Sequence, residues 1–398
     1  MRNILLSALA ILFLSGISRA QTEQRTSVEK VLSRNPGLTL VSFEGDSRIR
    51  TRLENLLYLC GWFKPASSSG AADVRVLGRF HPNGELETYV EGLGKAFSTR
   101  HPGKPDGSAV YATVDEILAR LFGVRALCTC KILFVLPGSN GMKELYSCYL
   151  DGLGQERVTH NDAISTEPEW GHSGAFVYTL AKNHALKVVL VDTVKHRQRI
   201  ISAARGLNSS AALFHDGSRM ALPLSIDGQV DLYAVSLKGD GRRIRLTKDR
   251  NVESSPTWSP DGSRICYVSD KLGVPLLFVK NLSDGREIRL TKGGRECVSP
   301  DWSPLCNKIC FSMRTAGGQR VLALVDMADA SGKITVLTDA DGDWESPSWG
   351  PDGRHVVCTR STENGKFRDL YIIDTWSGEF RAVSKGSRLA LPAWQPCF

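Results

Sequence analysis

The chain has 398 residues, 42% apolar and 23% charged, a balance that excludes a disordered, a fibrous and a multi-span membrane protein. Its net charge of +8 includes no Lys/Arg run interleaved with aromatics, which excludes a nucleic-acid footprint. Thirty-seven glycines against 17 prolines point to a turn-rich architecture rather than a helical one.

Residues 1–20 read as an export signal. Arg2 gives a positive start, Ile4 to Ile17 is apolar apart from small residues, and Ser18-Arg19-Ala20 sets cleavage between Ala20 and Gln21. The apolar stretch is shorter than the ~20 residues of a membrane span. The residue directly after the cleavage site is Gln21 and not a cysteine, so no lipid anchor is expected there, and the mature chain should carry no membrane span. All ten cysteines lie in the mature chain. Cys128 and Cys130 stand two apart on a strand and point the same way, which is poor disulfide geometry. Cys266 and Cys310 follow Ile in matching strands and read as small buried hydrophobes.

Residues 21–37 are polar and patternless, and read as a flexible arm. Residues 38–123 read as a small α/β domain. Leu38–Phe43 is a strand, and Asp46 is expected to cap a helix with Ile49, Leu53, Leu56, Leu57 and Leu59 at helical spacing. Asp73–Phe80 and Glu85–Gly92 form a hairpin across Pro82-Asn83-Gly84. Thr113–Phe122 is a second helix, ended by Gly123.

Residues 124–398 are repetitive. Ser255-Pro-Thr-Trp-Ser-Pro-Asp-Gly262 returns as Ser299-Pro-Asp-Trp-Ser-Pro304 and Ser346-Pro-Ser-Trp-Gly-Pro-Asp-Gly353, with weaker copies around Trp170, Phe214 and Trp394. The aromatic anchors Trp170, Phe214, Trp258, Trp302, Trp349 and Trp394 are 44 to 47 residues apart. A period near 45 with four short alternating segments predicts a β-propeller. Five complete units follow three unanchored strands, and the last unit is a lone strand, Leu391–Pro396. That strand is expected to complete the first blade and close six blades without a covalent link. The fold class is therefore mainly β: a six-bladed β-propeller closed by its C-terminal strand, preceded by a small α/β domain.

The export signal, the small α/β domain and the Trp-Ser-Pro-Asp-Gly repeats together resemble the TolB family, periplasmic propeller proteins of the Tol-Pal system. The ending Leu391-Pro-Ala-Trp-Gln-Pro396 and the run Val114-Asp-Glu-Ile-Leu-Ala-Arg-Leu-Phe-Gly123 carry the likeness further. The resemblance implies a non-enzymatic adaptor in the periplasm. It would bind the peptidoglycan-associated lipoprotein Pal at the propeller and support outer-membrane integrity and cell division. It also implies contact with TolA through an apolar N-terminal strand. Residues 21–34 are mostly polar here and depart from that pattern.

The sequence carries no cofactor or metal motif. A peptidase would need a GxSxG elbow, and Gly171-His-Ser-Gly174 is one residue short. His160, His172, His184 and His196 recur every twelve residues but fall on connections at alternating faces, so they should not converge. The alternative to an adaptor is a propeller enzyme with a carboxylate or metal site at the central channel.

The loops before each innermost strand should ring one mouth of the channel. They supply the candidate partner-binding residues Glu167, Asn208, Ser209, Glu253, Ser254, Ser255, Arg295, Glu296, Asp343, Trp344, Glu345 and Arg388. Four glutamates among them (167, 253, 296 and 345) predict a basic or amide-rich partner surface. Trp344, which is not a repeat anchor, reads as an exposed aromatic hot spot.

Overall fold

The structure is a computed structural model that describes residues 35–396, apart from 139, 172–173, 227, 239–240, 330, 340, 363–364 and 385–387. The expected export signal, its cleavage site at Ala20 and Gln21, and nearly all of the arm lie outside the described residues. The chain divides after Val124 into two compact units.

In the first unit, β1 (Gly37–Glu44) leads into α1 (Ser47–Leu59), and the short β2 (Lys64–Pro65) pairs with β1 in parallel. There follow β3 (Val74–Phe80), β4 (Leu86–Gly92), β5 (Lys95–His101) and α2 (Ala109–Phe122). The sheet runs β2-β1-β3-β4-β5, parallel from β1 to β3 and antiparallel beyond. The helix of β1–α1–β3 is the crossover that parallel pairing requires. Asp46 caps α1 by accepting from the Arg48 N–H at 2.8 Å. Ile49, Leu53, Leu56 and Leu57 are buried on α1, and Val110, Val114, Ile117 and Leu118 on α2. Leu38, Val74, Val76, Leu86 and Val90 are buried on the strands.

Besides the short β2, which the sequence reading lacks, two elements differ from it. The second helix starts at Ala109 rather than Thr113, because the Thr113 hydroxyl donates back to the Ala109 carbonyl at 2.9 Å as an interior residue. The sequence reading has no β5, whose side chains are mostly exposed or half-buried and show no apolar alternation. Its register is held by β4 instead, with the Thr88 and Thr99 hydroxyls 2.7 Å apart.

The second unit is a ring of six antiparallel blades. Blades two to six begin with the inner strands Ile164–Trp170, Ala212–Leu213, Glu253–Trp258, Cys297–Trp302 and Asp343–Trp349. Blade one consists of Ile132–Pro137, Lys143–Cys148 and Glu156–Arg157, completed by Ala390–Trp394 as its inner strand. There Ala390 faces Val135, Ala393 faces Leu133 and Trp394 faces Ile132. Each inner strand packs beside the next, and Ala390–Trp394 packs against the inner strands of blades six and two, so the ring is closed. Beyond the last pair, Gln395 N–H donates to the Lys131 carbonyl at 2.9 Å and Lys131 N–H to Gln395 Oε1 at 3.0 Å.

The anchor aromatics are buried between blades. Trp258 Nε1–H donates to the Ala212 carbonyl and Trp349 Nε1–H to the Asp301 carbonyl, both at 3.0 Å and both on the preceding blade. The arginine after a Pro-Asp-Gly or equivalent turn covers the next anchor: Arg219 lies over Trp258 and Arg264 over Trp302, with guanidinium carbons 4.8 and 4.9 Å from the ring centroids. Between blades four and five, Cys266, Val268, Leu277 and Val279 pack on Trp302, Ile309, Phe311 and Met313. Cys266 and Cys310 are buried free thiols, as expected. Cys128 is also free while Cys130 is disulfide-bonded, so the two do not pair with each other, in line with the geometry read from their spacing.

The channel mouth as candidate interaction site

One residue per blade takes a left-handed backbone, four positions before the anchor in blade three and three positions before it in the others. These are Glu167, Ser210, Ser255, Ser299, Ser346 and Leu391, with φ between 46° and 53°. Strand pairing slips at this point in every blade except three, so the feature is a β-bulge repeated around the channel. Left-handed non-glycine residues cost on the order of 1 kcal/mol or more each and persist where the surroundings fix them. Proline follows in five blades, at 168, 256, 300, 347 and 392. Its ring cannot donate to the ladder, which suits a site where pairing is interrupted.

Side chains on these segments stitch the ring. Glu167 accepts from the Ser210 N–H at 2.9 Å and the Ser210 hydroxyl at 2.8 Å. Thr257 Oγ1 accepts from the Trp302 N–H at 3.1 Å, Asp301 from the Trp349 N–H at 2.7 Å, and Ser348 Oγ from the Trp394 N–H at 3.0 Å. Each of these residues thus binds the inner strand of the following blade. Glu169 and Asp301 also line the channel. Burial, and then for Glu169 the Asp301 charge, raises the pKa of both above the ordinary carboxylate range. A proton or a cation would relieve that repulsion.

The mouth residues divide into two groups. Glu167, Ser209, Ser254, Ser255, Asp343 and Glu345 are half-buried, and Arg295 and Arg388 are exposed. Asp343 accepts from the Arg320 N–H at 2.7 Å. Glu296 is flanked by Arg314 at 2.6 Å and Arg320 at 2.5 Å, and Arg320 also lies 3.4 Å from Glu345. Burial raises the Glu296 pKa, but the two arginines outweigh it and hold the group below its ordinary value.

Three expectations are corrected. Trp344 is fully buried on the inner strand of blade six, edge-on to Tyr371 and Phe380 at 5.4 and 5.2 Å, and exposes no hot spot. Glu253 is fully buried and accepts from Ser269 Oγ at 3.2 Å and Thr247 Oγ1 at 3.3 Å. Burial, then a hydrogen bond to Asp249, pushes its pKa up to about 8, so it is a neutral acid at pH 7. Asn208 is fully buried and bonds back to the end of the preceding blade's outer strand and the turn after it, to Ser202 Oγ and the Ala204 backbone. With Glu253 uncharged and Glu296 answered by two arginines, the mouth does not present the acidic ring that the sequence suggests.

Sequence reasoning also missed Lys143 and Arg368, which line a cavity with Arg388 at the ring seam. Their signal would have been proximity to the latch strand. Among the described residues one metal-ligating cluster occurs, His81, Glu85 and Glu87 in the α/β unit, and Arg100 already pairs with both glutamates. His160, His184 and His196 are exposed, and His172 lies outside the described residues.

The model of the TolB beta propeller domain matches residues 118–398. The chain belongs to the TolB β-propeller family. Protein TolB homolog of Chlorobium luteolum is 30% identical over 203 residues, covering 49% of this chain and 44% of that one. Tol-Pal system protein TolB of Desulfosudis oleivorans is 29% identical over 156 residues, covering 38% and 34%. The matched stretches span less than half the length of these TolB relatives. TolB from Acinetobacter baumannii has the same fold, with a TM-score of 0.81 at 21% identity, covering 92% of this chain and 98% of that one. No helix among the described residues is long and apolar enough to cross a membrane.

Proposed function

We propose that the protein is a non-catalytic component of a Tol-Pal-like envelope complex in the periplasm. Its propeller mouth would receive a protruding part of the lipoprotein Pal and so support outer-membrane integrity and cell division. The observation that carries this reading is the family match over the whole propeller, with a relative named as a Tol-Pal system protein. The ring supplies a suitable platform: a rigid concave mouth fixed by bulges and inter-blade hydrogen bonds, which needs little reorganisation to bind.

Export rests on the pattern of residues 1–20 with cleavage between Ala20 and Gln21, and the disulfide-bonded Cys130 suits an oxidising compartment. Contact with TolA is not part of the proposal, because residues 21–34 lack the apolar alternation such a strand needs. The rim residues proposed to face the partner are Glu167, Ser209, Ser254, Ser255, Arg295, Glu296, Asp343, Glu345 and Arg388.

The test is surface-immobilised mature chain (residues 21–398) presented with the soluble domain of Pal. Saturable binding that is weakened by Arg295→Glu or Arg388→Glu, and left alone by Arg243→Glu on an outer strand, is the expected result. No binding, or binding lost only with Arg243→Glu, would overturn the reading.

A further inference from the structure

We propose that the cavity at the ring seam is an anion site that takes one carboxylate side chain from the partner. This rests on the reading of the mouth as a partner-binding surface and names the chemistry that surface recognises. The cavity has a volume of about 140 Å³ and lies between blade one, blade six and the closing strand. Lys143 comes from blade one, Arg368 from blade six, and Arg388 from just before the closing strand. Among the described residues none of the three side chains makes a hydrogen bond or an ion pair.

Several other arginines of the propeller do have acidic partners. Arg157, Arg245, Arg314, Arg320 and Arg360 pair with Glu144, Asp231, Glu296, Glu296 and Asp341 respectively. The one acid in the cavity wall, Glu345, stands 3.4 Å from Arg320, which already answers its charge. The cavity therefore gathers the positive charge of two exposed arginines and a half-buried lysine in one concave place, where the three fields add on a single anion.

The shape is set by the latch. Leu389 N–H donates to the Arg368 carbonyl at 3.0 Å, and Leu391 N–H to Thr359 Oγ1 at 3.1 Å, so the arginine backbones are held beside each other. Arginine forks favour planar oxyanions, which they bind in a bidentate manner. Val135, Pro137 and Leu391 form an apolar part of the wall. A volume far below the roughly 300 Å³ of a small-molecule site fits a single side chain with an apolar stem and a charged tip. An aspartate or glutamate on a partner loop meets that description.

The experiment measures association of the mature chain with three probes at low and high salt: the soluble Pal domain, a capped Gly-Asp-Glu-Asp-Gly peptide, and phosphatidylglycerol vesicles. It compares wild type, Arg368→Glu/Arg388→Glu and Arg368→Lys/Arg388→Lys, with circular dichroism confirming the fold of each. Charge reversal should weaken Pal binding about tenfold or more, mostly through a slower association rate, and the difference should shrink as salt screens it. The lysine pair should keep most of the binding. If Pal binds wild type and the reversed variant alike, the anion site is wrong and the wider reading stands. If Pal does not bind at all, the wider reading is wrong. The peptide then decides the site: binding lost on charge reversal supports it, and indifference overturns it. Vesicles binding through these arginines while the peptide does not would also overturn it.

Discussion

Glu253 opens the inner strand of blade four and Glu296 directly precedes that of blade five, and their surroundings are opposite. Glu253, five residues before its anchor Trp258, is fully buried, carries a proton at neutral pH and faces two hydroxyls, Ser269 of its own blade and Thr247 after the last strand of the blade before. Glu296, six residues before Trp302, is half-buried, ionised and clasped by two arginines. The difference is parity. Side chains alternate along a strand, so one step along the chain moves a residue from the blade interior to the mouth. The column five before the anchor is buried as Ser165, Glu253, Cys297, Trp344 and Leu389, whereas the column six before it includes exposed Ile164, Val252 and Arg388. Blade three shifts the buried member to Asn208, in step with an inner strand of only two residues, Ala212–Leu213.

The largest test of the buried column removes its last member together with the latch. A chain ending at Arg388 loses Leu389 and Trp394, opens the edge of Ile132–Pro137 and strips Asp343–Trp349 of a neighbour. Losing the buried Trp394 alone should cost ~3–5 kcal/mol, a large share of a typical domain's roughly 5–15 kcal/mol. Calorimetry should show the propeller transition lowered by about 10 °C or more, or lost. An unchanged transition would mean that the ring does not depend on its seam.

Next is Trp344. Replacing it by alanine should cost ~3–5 kcal/mol by denaturant titration, because a fully buried ring leaves a cavity. Trp344→Phe should cost clearly less, since a ring remains to meet Tyr371 and Phe380 edge-on. Equal stability of wild type and the alanine variant, with a faster partner dissociation rate, would restore the exposed reading that the structure replaces.

The fold was legible because a propeller repeats its instructions. Six aromatic anchors near 45 residues apart, and a final strand without partners of its own, specify blade number and closure before any contact is known. The mouth was harder to read. Glu253, Glu296 and Trp344 look alike as polar-loop neighbours of an inner strand, and only alignment on the anchors, with period two applied within the strand, separates them. The seam cavity could not be read from local pattern, since Lys143, Arg368 and Arg388 meet only after the ring closes. Blade six shows the same limit inside one motif. Its Pro351-Asp352-Gly353 turn repeats Pro260-Asp261-Gly262, yet Asp352 is buried against His355 while Asp261 caps a surface turn through Ser259 and Ser263.

Glu253 gives a smaller, pH-dependent effect. Its pKa of about 8 lies above the unfolded value of 4.5, so between those two values the folded chain holds more protons than the unfolded one. Stability should therefore fall as pH rises through this window, at no more than about 1.4 kcal/mol per pH unit, and level off above it. Glu253→Gln keeps a hydrogen-bonding side chain without a titrating proton. It should remove this part of the slope in urea titrations between pH 5 and pH 8, as judged against wild type. A Glu253→Gln protein that keeps the full wild-type slope would show that Glu253 is ionised when folded and belongs to the mouth after all.

The smallest effect on stability should come from Glu296. Its arginine partners are partly exposed, and such pairs contribute about 0–1 kcal/mol, so Glu296→Gln should shift the urea midpoint little. What remains of the pair's contribution is present at neutral pH. It fades only on acidification, because the Glu296 pKa is held below its ordinary value. The effect on binding should be larger than the effect on folding. Removing this carboxylate leaves Arg314 without its ion-pair partner and makes the mouth one charge more positive. An acidic partner should then associate faster at low salt, and the gain should vanish as salt rises. A basic partner, as four mouth glutamates would have required, should associate more slowly with the same variant. The sign of that one rate change therefore separates a mouth that presents glutamates from one in which arginines have already answered them.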